Sequence, residues 1–257
     1  MPTALSDSIV FAPNSDGMGA QFTGLPLGII GQLGPNGLLG IQSYANHFLQ
    51  WEGPLAEGSA GGWTLSGTTG VASIGISDAR NGEIVLTADA TASCNPTLAL
   101  GSAIAGQNIR YVAGKQLWCA GRVKLGTVLT TELFFGFGTA DTSPTVTGTY
   151  PADGLFFYKA STDPRLSFQA RKDGTGTARA QVTSVLADNT YTIIAFRVDP
   201  TGNIHVYQDN VELSTGFVQA GDANLPIAAG DAMQFLIGIL GASMTLTLDW
   251  VVIAQEL

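Results

Sequence analysis

The sequence predicts an all-β protein, built as a sandwich or a barrel, and three observations carry that reading. From residue 63 onward, short runs of β-branched and aromatic residues, bounded by Gly, Asp and Asn clusters, recur about every ten residues. Apolar residues alternate within these runs, and no stretch of a dozen residues keeps a helical stripe. Glycine contributes 33 of the 257 residues, and charged residues make up 12% against 45% hydrophobic, the composition of a turn-rich globular chain. A chain of this length buries about three-quarters of its unfolded surface, enough for one large core or two small ones. About a dozen antiparallel strands in one unit close as a sandwich or a barrel. No repeat of fixed period points to a propeller or solenoid.

The chain changes character near residue 45. Before it runs MGAQFTGLPLGIIGQLGPNGLLGIQSY, with a glycine every few residues and prolines at 26 and 35. Its apolar residues follow neither a period of 2 nor one of 3.6, and Gly and Pro at this density oppose both helix and central strand. Yet Phe22, Leu25, Leu27, Ile29, Ile30, Leu33, Leu38 and Leu39 are too apolar for a solvated linker. Residues 1–44 therefore read as an extended arm that docks on a partner surface, in preference to an irregular layer on its own sandwich. Residues 45–257 read as the sandwich domain.

Strands are expected at VASIGI, EIVLTA, KQLWCAGRVKL, ELFFGFG, GLFFYK, RLSFQAR, ARAQVTSV, YTIIAFRV, NIHVYQD, MQFLIGIL and MTLTLDWVVIA. In the third, alternation puts Leu117, Cys119, Gly121, Val123 and Leu125 on one face and Trp118, Arg122 and Lys124 on the other. In YTIIAFRV, Ile194, Phe196 and Val198 oppose Ile193, Ala195 and Arg197. The segment FRVDPTGNIHVYQDNVEL reads as strand, turn, strand and a second tight turn. Asp199, Asn203, Asp209 and Asn210 are then turn residues rather than calcium ligands.

Charge excludes several functions. Residues 1–79 hold five acids and no Lys or Arg, residues 80–197 hold all eleven basic residues, and residues 198–257 hold seven acids and no base. The densest basic run, Arg165, Arg171, Lys172 and Arg179, is interrupted by Asp173, so a nucleic-acid partner is not expected. No run of 18 apolar residues calls for a membrane partner, and the N-terminal residues lack the basic and apolar blocks of a secretion signal. Cys94 and Cys119, with no CxxC pair, read as two buried apolar side chains in preference to one disulfide.

Catalytic chemistry finds little support. His47 and His205 are the only histidines and no G-x-S-x-G elbow is present. GMGAQF, GFGTAD and GTGTAR begin G-x-G without completing a phosphate-binding fingerprint. No acid has another acid two positions away, so no strand presents paired carboxylates to a sugar; Glu132 with Asp153 or Asp249 remain arithmetically open. No catalytic residue, metal site or cofactor is assigned. Sugar binding without catalysis needs an exposed ring beside polar groups, and Trp118, Tyr158 and Tyr207 are its candidates, with Tyr150 beside them.

The order AGRVKL, ELFFGFGTAD, DGLFFYK, DNTYTIIAFRVDPTGNIHVYQDN and LTLDWVVIAQ resembles tailed-bacteriophage structural proteins that carry a concanavalin A-like, laminin-G-like sandwich. The resemblance covers residues 45–257 and implies a jelly-roll of two antiparallel sheets. It implies a non-enzymatic virion role, foremost capsid decoration on the outer head, with the major capsid protein and further copies of itself, as dimer or trimer, as partners. Assembly in the host cytoplasm and residence on the capsid surface follow from that role. A lectin-like module that binds a host-surface glycan is the alternative, and a polysaccharide-degrading enzyme a more remote one.

Overall fold

The computed structural model describes residues 9–14, 17–22, 41–46, 58–60, 63–67, 72–77, 83–91, 93–100, 109, 111–139, 144, 150–213 and 232–256. Among them are eighteen strands and no helix. They are β1 (Ile9–Asn14), β2 (Gly17–Phe22), β3 (Ile41–Asn46), β4 (Gly58–Ala60), β5 (Trp63–Ser66), β6 (Ala72–Ser77), β7 (Glu83–Ala88), β8 (Thr97–Leu100) and β9 (Leu117–Leu125). There follow β10 (Glu132–Gly138), β11 (Gly154–Lys159), β12 (Arg165–Lys172), β13 (Thr175–Val185), β14 (Thr192–Val198), β15 (Ile204–Gln208), β16 (Val211–Glu212), β17 (Gln234–Leu240) and β18 (Thr245–Glu256).

Two antiparallel sheets make a sandwich rather than a closed barrel. One runs β13-β12-β11-β10-β17-β8-β5-β4, the other β16-β15-β14-β9-β18-β7-β6 with β3 also paired to β18. The closing strand β18 is twelve residues long, roughly 40 Å. It pairs with β9 along one side, and on the other with β7 through Thr245–Leu248 and then with β3 through Val251–Glu256. β3 therefore runs across the 44/45 boundary expected from composition, and it joins the sandwich sheet. Upstream, β1 and β2 form a separate two-stranded ribbon in which Phe22 stands opposite Ile9. The expectation of irregular backbone fails for this ribbon, because a free edge lets Pro13 dispense with its missing N–H. Leu25, Leu27, Ile29, Ile30, Leu33, Leu38 and Leu39 lie outside the described residues.

The alternation read in the sequence places the core. Leu117, Cys119, Val123 and Leu125 from β9 and Ile194, Phe196 and Val198 from β14 face the other sheet and are buried there. Opposite them stand Phe135, Phe137, Phe157, Phe168 and Phe235, which meet Phe196 and one another mostly edge to face at centroid separations of 5.1–6.5 Å. Cys94 and Cys119 are free thiols in this core, and burial pushes the Cys119 thiol well up from its ordinary range.

The central strands are buried on both faces, unlike a two-layer sandwich with solvated outer faces. A second apolar layer lies on the outside of the β9 sheet: Trp118, Ala120, Ile193, Ala195, Tyr207, Trp250, Val252 and Ala254. A third, of Ala99, Phe134, Phe156 and Leu236, lies on the outside of the β10 sheet.

The hairpin around residue 200 is scaffold, as its sequence indicates. Gly202 N–H donates to the Asp199 carbonyl at 2.9 Å, closing the turn. Asp199 Oδ1 accepts from the Thr201 and Asn203 amides, both at 2.9 Å, and Oδ2 lies 3.2 Å from His205 Nε2. The other ring nitrogen of His205 lies 2.7 Å from Glu212 Oε1, tying β15 to β16. Burial opposes the Asp199 charge, but the hydrogen bonds from Thr201, Asn203 and His205 outweigh it and hold the carboxyl well below its usual range. A depressed carboxyl contributes stability above the unfolded-state pKa and loses it as pH falls. Asp199→Ala is expected to cost about 2 kcal/mol at neutral pH and to flatten the acid limb of stability against pH, as read by urea melts across pH 2–6.

Candidate functional site

The three candidate sugar rings separate once the strands are paired. Trp118 is 1% exposed and Tyr207 6% exposed, so neither offers a face to a ligand. Both belong to the outer layer of the β9 sheet. This corrects the expectation from the sequence, where Arg122 and Lys124 make that strand face look polar. Register explains the difference: Trp118 stands between Arg197 and Ala254, and Ala120 between Ala195 and Val252, so the surroundings of Trp118 are set by strands far away in sequence.

The charges on that face are spent on a network of their own. Arg122 Nη1 donates to Asp249 Oδ2 at 2.6 Å, and Asp249 is 1% exposed. Asp249 sits where the β18 register slips against β9. The Arg122 guanidinium lies 4.1 Å and the Lys124 ammonium 4.4 Å from the Tyr191 ring centroid. The Tyr191 hydroxyl donates to Glu83, and burial followed by that carboxylate pushes its pKa well above the ordinary phenol range.

Tyr158 lies elsewhere, half-buried on the outside of the eight-stranded sheet. β11 puts it opposite Phe134 of β10 and Ser167 of β12. Tyr150, also half-buried, approaches it from the segment before β11, with ring centroids 5.1 Å apart. Beneath them Phe156 stacks on Phe134 at 4.6 Å and meets Tyr150 at 5.5 Å, so the tyrosines rest on a rigid aromatic floor. The Arg171 guanidinium lies 5.9 Å from the Tyr150 centroid and donates to the Tyr150 carbonyl at 3.4 Å. Burial pushes the Tyr150 hydroxyl up to about 12, with Tyr158 and Glu132 adding to the rise and Arg171 opposing it. The Ser161 hydroxyl in turn donates to Glu132 at 3.4 Å.

Hydrogen-bonding capacity remains in the same part of the sheet. Arg171 stands opposite Gly154, Gly154 opposite Gly138, and Gly138 opposite Gln234. Gln169 occupies the neighbouring row, opposite Phe156. Arg171 Nε, Gln169 Oε1 and both amide atoms of Gln234 are buried without a hydrogen-bond partner. Two tyrosines in tilted ring contact, with the Arg171 guanidinium and the Glu132 carboxylate acting on Tyr150, can take a sugar ring by its apolar face and its hydroxyls by their edges. Sequence reading found Tyr150 and Tyr158, and named Glu132 only as an open carboxylate and Arg171 only in a basic run; it did not bring these two beside the tyrosines, because that proximity depends on pairing β10, β11 and β12.

The carboxylate pairs left open by the sequence do not meet. Glu132 begins β10 opposite Leu240, whereas Asp153 precedes Gly154 at the other end of the hairpin, opposite Gly138. Six residues of strand separate those ends, roughly 20 Å. A glycosidase pair stands about 5–9.5 Å apart. Asp249 belongs to the other sheet and is engaged by Arg122. Among the described residues, no group of three or more His, Cys, Asp and Glu side chains is placed to hold a metal ion.

No protein-family model matches the chain, and no curated protein sequence matches it. Solved structures do share its architecture. Peanut lectin superposes with a TM-score of 0.55 at 11% identity, covering 84% of this chain and 97% of the lectin. The Bacteroides ovatus mixed linkage glucan PUL GH16 protein, solved with its G4G4G3G product, gives 0.54 at 11% identity over 82% of this chain and 99% of its own. The CBM2 module of the evolved Dit of Lactobacillus casei BL23 phage J-1 gives 0.50 at 12% identity over 84% and 98%. At these identities the likeness is one of fold, and with the two antiparallel sheets it makes the chain a concanavalin A-like β-sandwich.

Proposed function

We propose that the protein is a carbohydrate-binding module carried on the particle of a tailed phage, with Tyr150 and Tyr158 as its sugar platform. The observation that carries the reading is the half-exposed tyrosine pair at 5.1 Å, backed by Phe156 and flanked by Arg171 and Glu132. Binding is favoured over hydrolysis because Glu132, Asp153 and Asp249 do not converge. The fold shared with peanut lectin and with the J-1 module supports the sugar-binding half. The virion half rests on the order of strand motifs from AGRVKL to LTLDWVVIAQ. Its specific form is a non-enzymatic decoration protein on the capsid surface, bound to the major capsid protein through the residues that precede β3 and recognising a host-surface glycan.

The test is calorimetric titration of the purified protein with host-surface polysaccharides, with reducing ends assayed in parallel. Tyr158→Ala is expected to weaken binding about ten-fold or more, since losing a stacked ring removes at least ~1.5 kcal/mol. Trp118→Phe, in the buried layer, is expected to leave binding unchanged. Unchanged binding in Tyr158→Ala removes the platform, and release of reducing ends replaces binding with hydrolysis. Immunogold labelling of particles, on the head or elsewhere, tests the decoration role separately.

A further inference from the structure

We infer that the tyrosine platform takes a neutral glycan, with Ser167 as the residue that meets its hydroxyls beside Tyr158; this rests on the sugar-binding reading above and narrows it. β12 is the strand that flanks the pair. Its residues alternate strictly through RLSFQAR, with Leu166, Phe168 and Ala170 in the core and Arg165, Ser167, Gln169 and Arg171 half-buried on the face that carries Tyr158. Ser167 pairs directly with Tyr158, and side chains so placed stand about 5 Å apart. A sugar ring lying on Tyr158 therefore holds its rim of hydroxyls over Ser167. Among the described residues the Ser167 hydroxyl has no partner of its own, so it can both donate to a sugar hydroxyl and accept from one.

The cations around the pair are already engaged. Arg165 clamps Asp163 with two bonds, Nε to Oδ1 and Nη2 to Oδ2, both at 2.9 Å. Arg171 donates from Nη1 to the Tyr150 carbonyl at 3.4 Å and from Nη2 to the Gly174 carbonyl at 2.5 Å, and its Nε is buried. The Lys159 ammonium is turned inward, to the carbonyls of Thr131 and Ala160. Lys172 alternates onto the opposite face from Arg171. A carboxylate or phosphate on a ligand needs a guanidinium fork or an ammonium held open to it. Each described cation on this face points at a protein oxygen instead.

The field at the platform is negative as well. Of the two formal charges that act on the Tyr150 hydroxyl, Glu132 raises its pKa by more than Arg171 lowers it. The whole chain carries −9, which repels an acidic polymer before it arrives. A neutral sugar meets neither penalty. It asks for a ring to lie on and a polar group at its rim, and Tyr158 and Ser167 supply them side by side.

Calorimetric titration of the full chain compares neutral polymers (dextran, galactan and mannan) with acidic ones (polygalacturonate, hyaluronan and glycerol teichoic acid). A neutral polymer is expected to bind, with an affinity that changes less than about two-fold between roughly 0.05 and 0.5 M salt, since binding makes no ion pair to screen. Ser167→Ala is expected to weaken it about five-fold at an unchanged melting midpoint, the loss of one hydrogen bond. Ser167→Lys sets an open ammonium beside Tyr158 and is expected to shift binding toward the acidic polymers, with an affinity that falls as salt rises. An acidic polymer bound by the unmodified chain and released by Tyr158→Ala overturns neutrality while leaving the platform in place. Neutral binding unmoved by Ser167→Ala overturns the role of that serine. Binding that survives Tyr158→Ala, or binding of no polymer, overturns the platform and this inference with it.

Discussion

Gly136→Ala is expected to destabilise the protein by about 3–5 kcal/mol, with a lower denaturant midpoint and an unchanged slope. Gly136 is the middle glycine of FFGFG, in the centre of β10, with φ of 147°. A Cβ there would lie 2.5 Å from the Leu155 carbonyl oxygen and 2.7 Å from the Phe156 Cα. Both atoms belong to the backbone of the neighbouring strand, so no side-chain rotation relieves the contact. Backbone strain at that φ and the forced separation of β10 from β11 add to each other. Gly121→Ala is the informative contrast. Its Cβ would meet ring atoms of Phe135 at 2.7 Å, a side chain that can shift, and the expected loss is about 1–3 kcal/mol. The Gly136 variant should also lose sugar binding beyond its loss of stability, because β10 and β11 carry Phe134, Phe156 and Tyr158. A Gly136→Ala protein as stable as its parent would mean that the β10–β11 pair yields where the packing says it cannot.

Eleven strands were legible in the sequence because each is long enough for alternation to show, as in EIVLTA and RLSFQAR, whose buried and part-buried residues alternate strictly. Of the other seven, five escaped for identifiable reasons. WTLS and TLAL are four residues long, and VE only two, too short for a period of 2 to stand out. IVFAPN and GMGAQF carry the Pro and Gly that argue against a strand, and they survive as a two-stranded ribbon with no central position to fill.

Faces were legible and environments were not. Alternation put Trp118 opposite Cys119 correctly, yet whether that outer face meets solvent depended on Ala195, Trp250 and Ala254, which only pairing brings near. The same holds for the candidate site, where one residue in three of the proposed platform, Tyr158, remained accessible. Its polar surroundings came from β12 and β17, about ten and seventy-five residues further along the chain.

Stability should rise with pH between about 8 and 10.5 by about 3 kcal/mol more in the native protein than in Lys159→Met. Lys159 ends β11, next to Tyr158, and is 1% exposed. Its ammonium donates to the Thr131 carbonyl at 2.7 Å and the Ala160 carbonyl at 2.8 Å. Burial lowers its pKa to about 8 from 10.5, against the upward pull of Asp163, Glu132 and Asp188. Below pH 8 both folded and unfolded chains hold the proton, and the folded state bears the cost of a buried charge. Between 8 and 10.5 the folded state has released it while the unfolded chain still binds it, so the linkage slope is positive. Above 10 the tyrosines act with the opposite sign, since burial raises Tyr111, Tyr150, Tyr191 and Tyr207 and the folded state keeps protons that the unfolded chain has lost. Both proteins share those tyrosines, so the difference between their stability curves isolates the lysine. Denaturant melts at pH 6, 7, 8, 9 and 10 measure it. A flat difference would mean that the ammonium keeps its hydration, and that the end of the hairpin beneath Tyr158 is open to water rather than sealed.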